Sequence, residues 1–131
     1  MSYGSIQIPT EIRQKNQEKL VEISWDDGQK FEYTMEYLRV FCPCAGCRGH
    51  TPSQRKLIDG KQEVIIQSIA PVGHYAIKIQ FSDNHDSGLF SWETLYDLGL
   101  NRARYWEEYL MELQQSGKRR KSNVIPIHPI K

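Results

Sequence analysis

The sequence predicts an α+β fold, in which a small, mainly antiparallel sheet packs with short helices. Strand-like alternation occurs in two groups, near the start and in the middle of the chain, and helical periodicity follows them. The order of strands, helix, cysteine loop, strands and two helices lacks the regular βαβ alternation of parallel sheets. A length of 131 residues fits one domain with a real core.

The first predicted element is a β-hairpin. Apolar residues alternate with polar ones on both sides of an Asp-Asp-Gly turn: Val21, Ile23 and Trp25 before it, Phe31 and Tyr33 after it. Gly28 supplies the positive φ that such turns require. A short helix follows over 35–41, because Thr34 can cap it and Glu36 lies in its first turn, where the helix dipole favours an acid.

Residues 50–62 lack periodicity and contain Pro52 and Gly60, which predicts a loop. Strands are then predicted over 63–73 and 75–81. In the second, the residues expected to share one face are Tyr75, Ile77, Ile79 and Phe81. A turn over 82–88 and a short strand over 89–91 complete the predicted sheet.

Two helices are predicted near the end of the chain. Ser91 can cap the first, over 92–98, and Gly99 is expected to close it. Asn101 can start the second, which ends before Gly117. One stripe of this helix is apolar and is predicted to face the core: Trp106, Tyr109, Leu110 and Leu113.

The charge distribution divides the chain into a domain over 1–116 and a basic tail over 117–131. Five of the 17 Lys and Arg residues lie in the tail with no acid, so 1–116 holds 12 of them against all 16 Asp and Glu. A body with a formal charge of −4 disfavours nucleic-acid binding. We interpret the "GKRRK" run as a solvated end. Because Pro126 and Pro129 interrupt the final apolar run, an extended tail or edge arm is expected there.

The sequence also disfavours several locations and activities. It has no run of 18 apolar residues and no secretory signal pattern, so we expect a soluble, cytoplasmic protein without a membrane partner. A P-loop, a G-x-G-x-x-G after a strand and a G-x-S-x-G are all missing, which leaves nucleotide binding and serine hydrolysis without support.

All three cysteines, Cys42, Cys44 and Cys47, fall within six positions. Such crowding favours metal binding over a disulfide framework. Zinc prefers four tetrahedral thiolate and imidazole ligands, so the fourth would be a histidine. The candidates are His50, His74, His85 and His128. Spacing slightly favours His50, which would make a local knot, whereas His85 lies in a turn between strands.

The motifs of known metal and thiol enzymes are incomplete. The "PCAGC" run matches half of the nucleobase-deaminase signature, but no H-x-E supplies the acid/base glutamate. None of the histidines has an acid two positions on, as the iron facial triad commonly requires. Cys44 and Cys47 have redox C-x-x-C spacing, but Cys42 beside them favours chelation. A metal here is therefore predicted to be structural.

Three segments resemble a known family: "ISWDDGQKFEY", "LRVFCPCAGCRG" and "VGHYAIKIQFSDNHDSGLFSWETLYDLG". Together they are similar to the gamma-butyrobetaine hydroxylase-like amino-terminal domain, a bacterial domain of unknown function, over roughly residues 10–110. The resemblance implies a small α+β unit with one zinc bound by Cys42, Cys44, Cys47 and His85, and hence a zinc-stapled cysteine loop. His50 stays as a minor competitor.

The resemblance also limits the activity that can be carried over. The iron and 2-oxoglutarate residues of the carnitine-pathway oxygenases belong to a barrel that this chain lacks, so hydroxylase activity is not expected. We predict a non-catalytic, zinc-stabilised module that acts through contacts with an unidentified protein partner or as a homodimer. The region around Trp92 and the Ile/Pro tail are the candidate contact surfaces.

Two alternatives stay open. Since a similar domain ends a plant-type iron-sulfur cluster carrier, the chain could instead be a cluster or metal-handling accessory protein. Three cysteines and a histidine can also hold a [2Fe-2S] cluster. The other alternative is an accessory subunit of a separately encoded oxygenase.

Overall fold

The computed structural model describes residues 7–44, 57–83 and 85–121 of the protein. Within them, six strands form two three-stranded antiparallel sheets, β1-β2-β3 and β4-β5-β6, accompanied by three helices. The predicted α+β class with mainly antiparallel pairing is confirmed. The elements are β1 (Pro9–Lys15), β2 (Leu20–Trp25), β3 (Lys30–Thr34), α1 (Met35–Val40), β4 (Ile66–Val72), β5 (Ala76–Phe81), β6 (Asp86–Ser91), α2 (Trp92–Leu100) and α3 (Arg102–Ser116).

Some predictions fall outside these residues. They concern Cys47 and His50, the loop prediction over 50–56, and the tail from 122 onward, including His128.

The first sheet contains the predicted hairpin. Ile23 of β2 pairs with Phe31 of β3, and Gly28 adopts φ +88° in the turn, where its N–H donates to the Trp25 carbonyl. Strand β1, which the sequence did not predict, pairs with β2 along the outer edge. Its inward positions carry one large aliphatic residue, Ile12, so the apolar alternation is too weak to detect.

The second sheet confirms the two predicted middle strands, with the first beginning only at Ile66. Ile77, Ile79 and Phe81 of β5 are buried, as expected. The prediction for Tyr75 is wrong: it precedes β5 in the turn and is 54% exposed. Strand β6 also begins earlier than predicted, at Asp86.

Both predicted side-chain caps of the shorter helices are present. The Thr34 hydroxyl accepts from the Tyr37 N–H, and the Ser91 hydroxyl accepts from the Thr94 N–H. The prediction that Gly99 ends α2 is wrong, because Gly99 lies inside this helix. A Cβ at Gly99 would overlap Cδ2 of Phe31, so this glycine allows the helix to approach β3 closely.

Helix α3 ends where predicted, because Gly117 adopts the left-handed conformation with φ +68° and its N–H bonds the Gln114 carbonyl. Tyr109 and Leu113 are buried, in line with the apolar stripe. Leu110 is 39% exposed, so its assignment to the core is wrong. Asn101 makes no side-chain cap bond to α3 and donates instead to the Asp97 carbonyl of α2.

The segment after α3 folds back onto the domain. The carbonyls of Arg119 and Arg120 accept from the N–H groups of Gly60 and Gln62. The Arg120 guanidinium binds Glu36, which is 6% exposed, at 2.7 Å, and lies over the ring of Trp106. Arg120 is thus a structural residue, and the interpretation of the "GKRRK" run as a solvated end is wrong at this position. The basic composition of the run does not indicate that Arg120 pairs with the buried Glu36.

One hydrophobic core joins both sheets and the helices. It includes Ile23 from the first sheet, Phe81 from the second, and Leu95 from α2, each at 0% exposure. No helix in the described ranges is long and apolar enough to cross a membrane.

Candidate metal centre

Helix α1 leads directly into the first two cysteines. The N–H of Phe41 closes the helix by donating to the Tyr37 carbonyl, and the N–H of Cys42 donates to the Arg39 carbonyl at 3.3 Å. Cys42 is 1% exposed and belongs to the core, while Cys44 lies partly buried at its border. The position of both thiols is therefore set by the end of α1.

His85 reaches the same place from the β5–β6 turn. The Phe81 N–H donates to the His85 carbonyl at 3.0 Å, which closes the turn. The N–H of His85 donates to Oδ1 of Asp83 at 3.2 Å, so the aspartate side chain braces the backbone of the histidine. The ring of the fully buried Phe81 lies 6.4 Å from the imidazole, centre to centre.

The two thiols and the imidazole converge. Nε2 of His85 lies 3.2 Å from Sγ of Cys42 and 3.3 Å from Sγ of Cys44. All three ligand atoms lie within 4.8 Å of one another. In a tetrahedral zinc site, the usual bond lengths place a sulfur and a nitrogen ligand about 3.6 Å apart. The two sulfur–nitrogen distances therefore need only a small expansion to fit a metal.

The type of donor narrows the choice of metal. Thiolate and imidazole suit zinc, copper or an iron-sulfur cluster, whereas magnesium and calcium require oxygen ligands. Two sulfurs and one nitrogen make a possible metal-binding group, and the identity of the metal is open on this geometry.

The other predicted ligands have different outcomes. His74 lies in the β4–β5 turn and is not in the metal-ligand group found among the described residues. Its carbonyl accepts a bond from Nε1 of Trp92. Cys47 and His50 lie outside the described part of the chain. Sheet pairing brings His85 back to the end of α1, a proximity that spacing along the chain does not indicate.

Three charged residues adjoin the group, although no sequence motif predicts all three as part of a site. Oδ2 of Asp83 contacts Nε of Arg39 at 2.9 Å and Nζ of Lys61 at 2.7 Å. Burial alone would raise the pKa of Asp83, but the hydrogen bonds and positive charges of Lys61 and Arg39 outweigh it and hold the pKa below its usual value. The aspartate two residues before His85 was visible in the sequence; its cationic partners were not.

Comparisons with known proteins agree with this architecture. The family model described as gamma-butyrobetaine hydroxylase-like, N-terminal, matches residues 12–96. A crystal structure of a protein of unknown function of the DUF971 family from Acidithiobacillus ferrooxidans is 40% identical, with a TM-score of 0.59. The match covers 70% of this chain and 91% of that one.

Two solution structures determined by NMR are similar over almost the whole chain. One is 33% identical, covering 97% of this chain and 100% of its own, and the other is 36% identical, covering 98% of both chains. The TM-score is 0.79 for each. Among curated proteins, none matches the chain.

Proposed function

Because the chain belongs to the gamma-butyrobetaine hydroxylase-like, N-terminal family, we propose that it is a non-catalytic zinc-binding module that acts through protein contacts. The observation that carries this proposal is the convergence of Cys42, Cys44 and His85 from two segments about forty residues apart. Cys47 is the proposed fourth ligand, which would complete a Cys3His site.

The proposed role of the site is structural. Four protein ligands would leave no coordination position for water or substrate, which is typical of structural zinc. The zinc would supply a fixed tetrahedral cross-link. The two cysteines follow the end of α1, and His85 lies in the β5–β6 turn, so a metal bound to all three would fix the helix against the second sheet.

Exposed apolar side chains near Trp92 and on β6 support the proposed role in protein contacts. Trp92 packs against the core, while its Nε1 donates to the His74 carbonyl at 2.7 Å and its backbone N–H donates to the Tyr75 carbonyl. This arrangement leaves Tyr75 54% exposed beside the start of α2, and Leu89 of β6 is 42% exposed. We propose the region around Trp92, with the exposed Tyr75, as the contact face of a cytoplasmic protein.

The test of the metal site is metal analysis with a visible spectrum on protein purified anaerobically. About one zinc per chain, without colour, is expected. His85→Ala should lower the zinc content strongly, and His50→Ala, the matched control, should leave it unchanged. Equal loss in the two variants, or wild type without bound metal, would contradict the proposed ligand set.

The same experiment separates zinc from the alternative cofactor. Iron with sulfide and a visible absorption band would identify a [2Fe-2S] cluster, since zinc does not absorb there. That result would overturn the structural zinc and favour a cluster or metal-handling accessory protein. Co-purification with a barrel protein would instead identify an accessory subunit of an oxygenase.

A further inference from the structure

Asp83 uses both of its carboxylate oxygens within the candidate metal centre. Oδ1 accepts from the backbone N–H of His85 at 3.2 Å, and Oδ2 accepts from Nε of Arg39 at 2.9 Å. One oxygen therefore contacts the residue that supplies the imidazole, and the other contacts the helix that supplies the thiols. The side chain of Asp83 is 21% exposed, so these contacts are partly shielded from water.

Arg39 extends this connection to the cysteines. It lies in the last turn of α1, its side chain is 7% exposed, and its carbonyl accepts the N–H of Cys42 at 3.3 Å. A continuous path of three hydrogen bonds thus runs from Cys42 through Arg39 and Asp83 to His85. Each bond involves either the backbone of a ligand residue or a charge-assisted contact, which is stronger than a neutral one.

Lys61 adds a third segment to the same carboxylate. Its Nζ lies 2.7 Å from Oδ2 of Asp83, and its side chain is 26% exposed. The segment around Lys61 is itself fixed, because the N–H groups of Gly60 and Gln62 bond the carbonyls of Arg119 and Arg120. The orientation of Asp83 is therefore determined from two sides and does not depend on a flexible surface pair.

We propose that Asp83, held by Arg39 and Lys61, is the positioning residue of the metal centre. It aligns the His85 turn with the end of α1 through the protein's own contacts, so that the ligands need little reordering to bind the metal. The inference rests on the proposed metal site and adds the source of its preorganisation. Groups that orient metal ligands from outside typically change metal affinity by about 10- to 100-fold when they are removed.

The test measures zinc affinity by competition with a chromogenic chelator and ligand geometry by the visible spectrum of the cobalt(II)-substituted protein. Asp83→Asn keeps the size of the side chain and removes its charge. We expect its zinc dissociation constant to rise about 10- to 100-fold and its cobalt bands to shift and weaken as the tetrahedral geometry relaxes. Asp26→Asn is the matched control, because Asp26 lies exposed in the β2–β3 turn; it should change neither quantity.

A double-mutant cycle sharpens the assignment. If Arg39 acts through Asp83, adding Arg39→Gln to Asp83→Asn should weaken zinc binding by less than about 2-fold beyond the aspartate variant alone, because the two changes share one pathway. Should Asp83→Asn fail to fold, Lys61→Met removes only the more exposed partner. It is expected to weaken zinc binding by less than about 10-fold while still shifting the cobalt bands.

The outcomes separate this inference from the proposed function. Wild type without bound zinc or cobalt would overturn the metal site itself, and this inference with it. Normal metal binding by wild type together with an unchanged dissociation constant and cobalt spectrum in Asp83→Asn would overturn the inference alone. The same conclusion follows if Asp83→Asn lowers only the thermal stability of the metal-free protein, because a merely structural ion pair would do that.

Discussion

The candidate metal centre and the contact of α2 with β3 and α1 both join distant parts of the chain, but they use different chemistry. We call the second region the seam; its residues are Phe31, Tyr33, Tyr37, Leu95, Leu98 and Gly99. In the seam, the Tyr33 hydroxyl donates to the Leu95 carbonyl at 2.6 Å, and the Tyr37 hydroxyl donates to the Leu98 carbonyl at 2.7 Å. The rings of Phe31 and Tyr33 occupy the space that the missing side chain of Gly99 leaves.

The metal centre relies on charge and ligand atoms instead. Of its three described candidate ligands, Cys42 is buried, whereas Cys44 and His85 are partly exposed, and the contacts around Asp83 are ionic. The seam needs no bound group, because packing and neutral hydrogen bonds suffice there. This difference predicts that metal removal affects the first region, whereas packing changes and alkaline pH affect the second.

Metal removal should have the largest effect. A ligand that binds only the folded state adds about 4 kcal/mol when its free concentration is 1,000 times the dissociation constant, so chelation or Cys42→Ala should lower the free energy of unfolding by about that much. Hydrogen exchange should accelerate at residues 39–44 and 81–85. Urea unfolding and exchange with mass spectrometry measure the two quantities.

The seam provides the internal control of that experiment. Its amides, in residues 31–37 and 95–99, should stay protected after metal removal, since their contacts do not involve the ligands. If the seam amides lose protection as early as the amides at the end of α1, the two regions unfold as one cooperative unit, and the expected difference between them is wrong.

Gly99→Ala should destabilise the seam by about 2 kcal/mol. Alanine in a helix gains about 1 kcal/mol over glycine. However, the added Cβ would overlap Cδ2 of Phe31 and lie 2.6 Å from the Tyr33 hydroxyl oxygen, and overpacking typically costs about 1 to 3 kcal/mol. Displacement of Tyr33 also weakens its hydrogen bond to α2. Urea unfolding measures the change, and zinc content should stay the same.

Gly117→Ala is the matched control. Gly117 has φ +68°, but no atom of the described residues lies within 4 Å of the site of a Cβ, so only backbone strain, about 1 kcal/mol, is expected. If Gly99→Ala costs no more than this control, the close approach of α2 to β3 is not a constraint.

The sequence predicted what depends on local pattern. The β2–β3 hairpin, the caps Thr34 and Ser91 and the end of α3 before Gly117 follow from short-range rules, and the structure contains all of them. The prediction for Gly99 was wrong, because a glycine is needed there to leave room for Phe31, nearly seventy residues away in the sequence. Local pattern cannot distinguish a glycine that ends a helix from one that admits a neighbour.

The candidate site shows the same limit. The cysteine crowding identified one half of the site, and spacing then favoured His50; family resemblance, not spacing, indicated His85. The structure brings His85 to the two cysteines because β5 and β6 pair around it. Arg39, Lys61 and Arg120 each depend on a partner that only the fold reveals. Cys47 remains a prediction.

Alkaline pH should produce a smaller effect for each residue, and two of the three tyrosines concerned lie in the seam. Burial raises the pKa of Tyr33 and Tyr37 well above the usual tyrosine value, and it raises the pKa of Tyr109 in the same way. Below about pH 10 both folded and unfolded states keep the phenol protons, so the stabilisation is complete. Above it, only the unfolded state releases them, and stability should fall by up to about 1.4 kcal/mol per pH unit for each such tyrosine.

Tyr37→Phe tests the assignment of this slope to the seam. It should cost about 1 kcal/mol at neutral pH, because the Leu98 carbonyl loses its donor. It should also reduce the alkaline slope by one tyrosine's share, measured by urea unfolding from about pH 9 to about pH 11. The phenolate absorption of the buried rings should appear together with the loss of far-ultraviolet circular dichroism. Phenolate formation in the intact fold would mean that water reaches the seam, so that its protection does not come from packing.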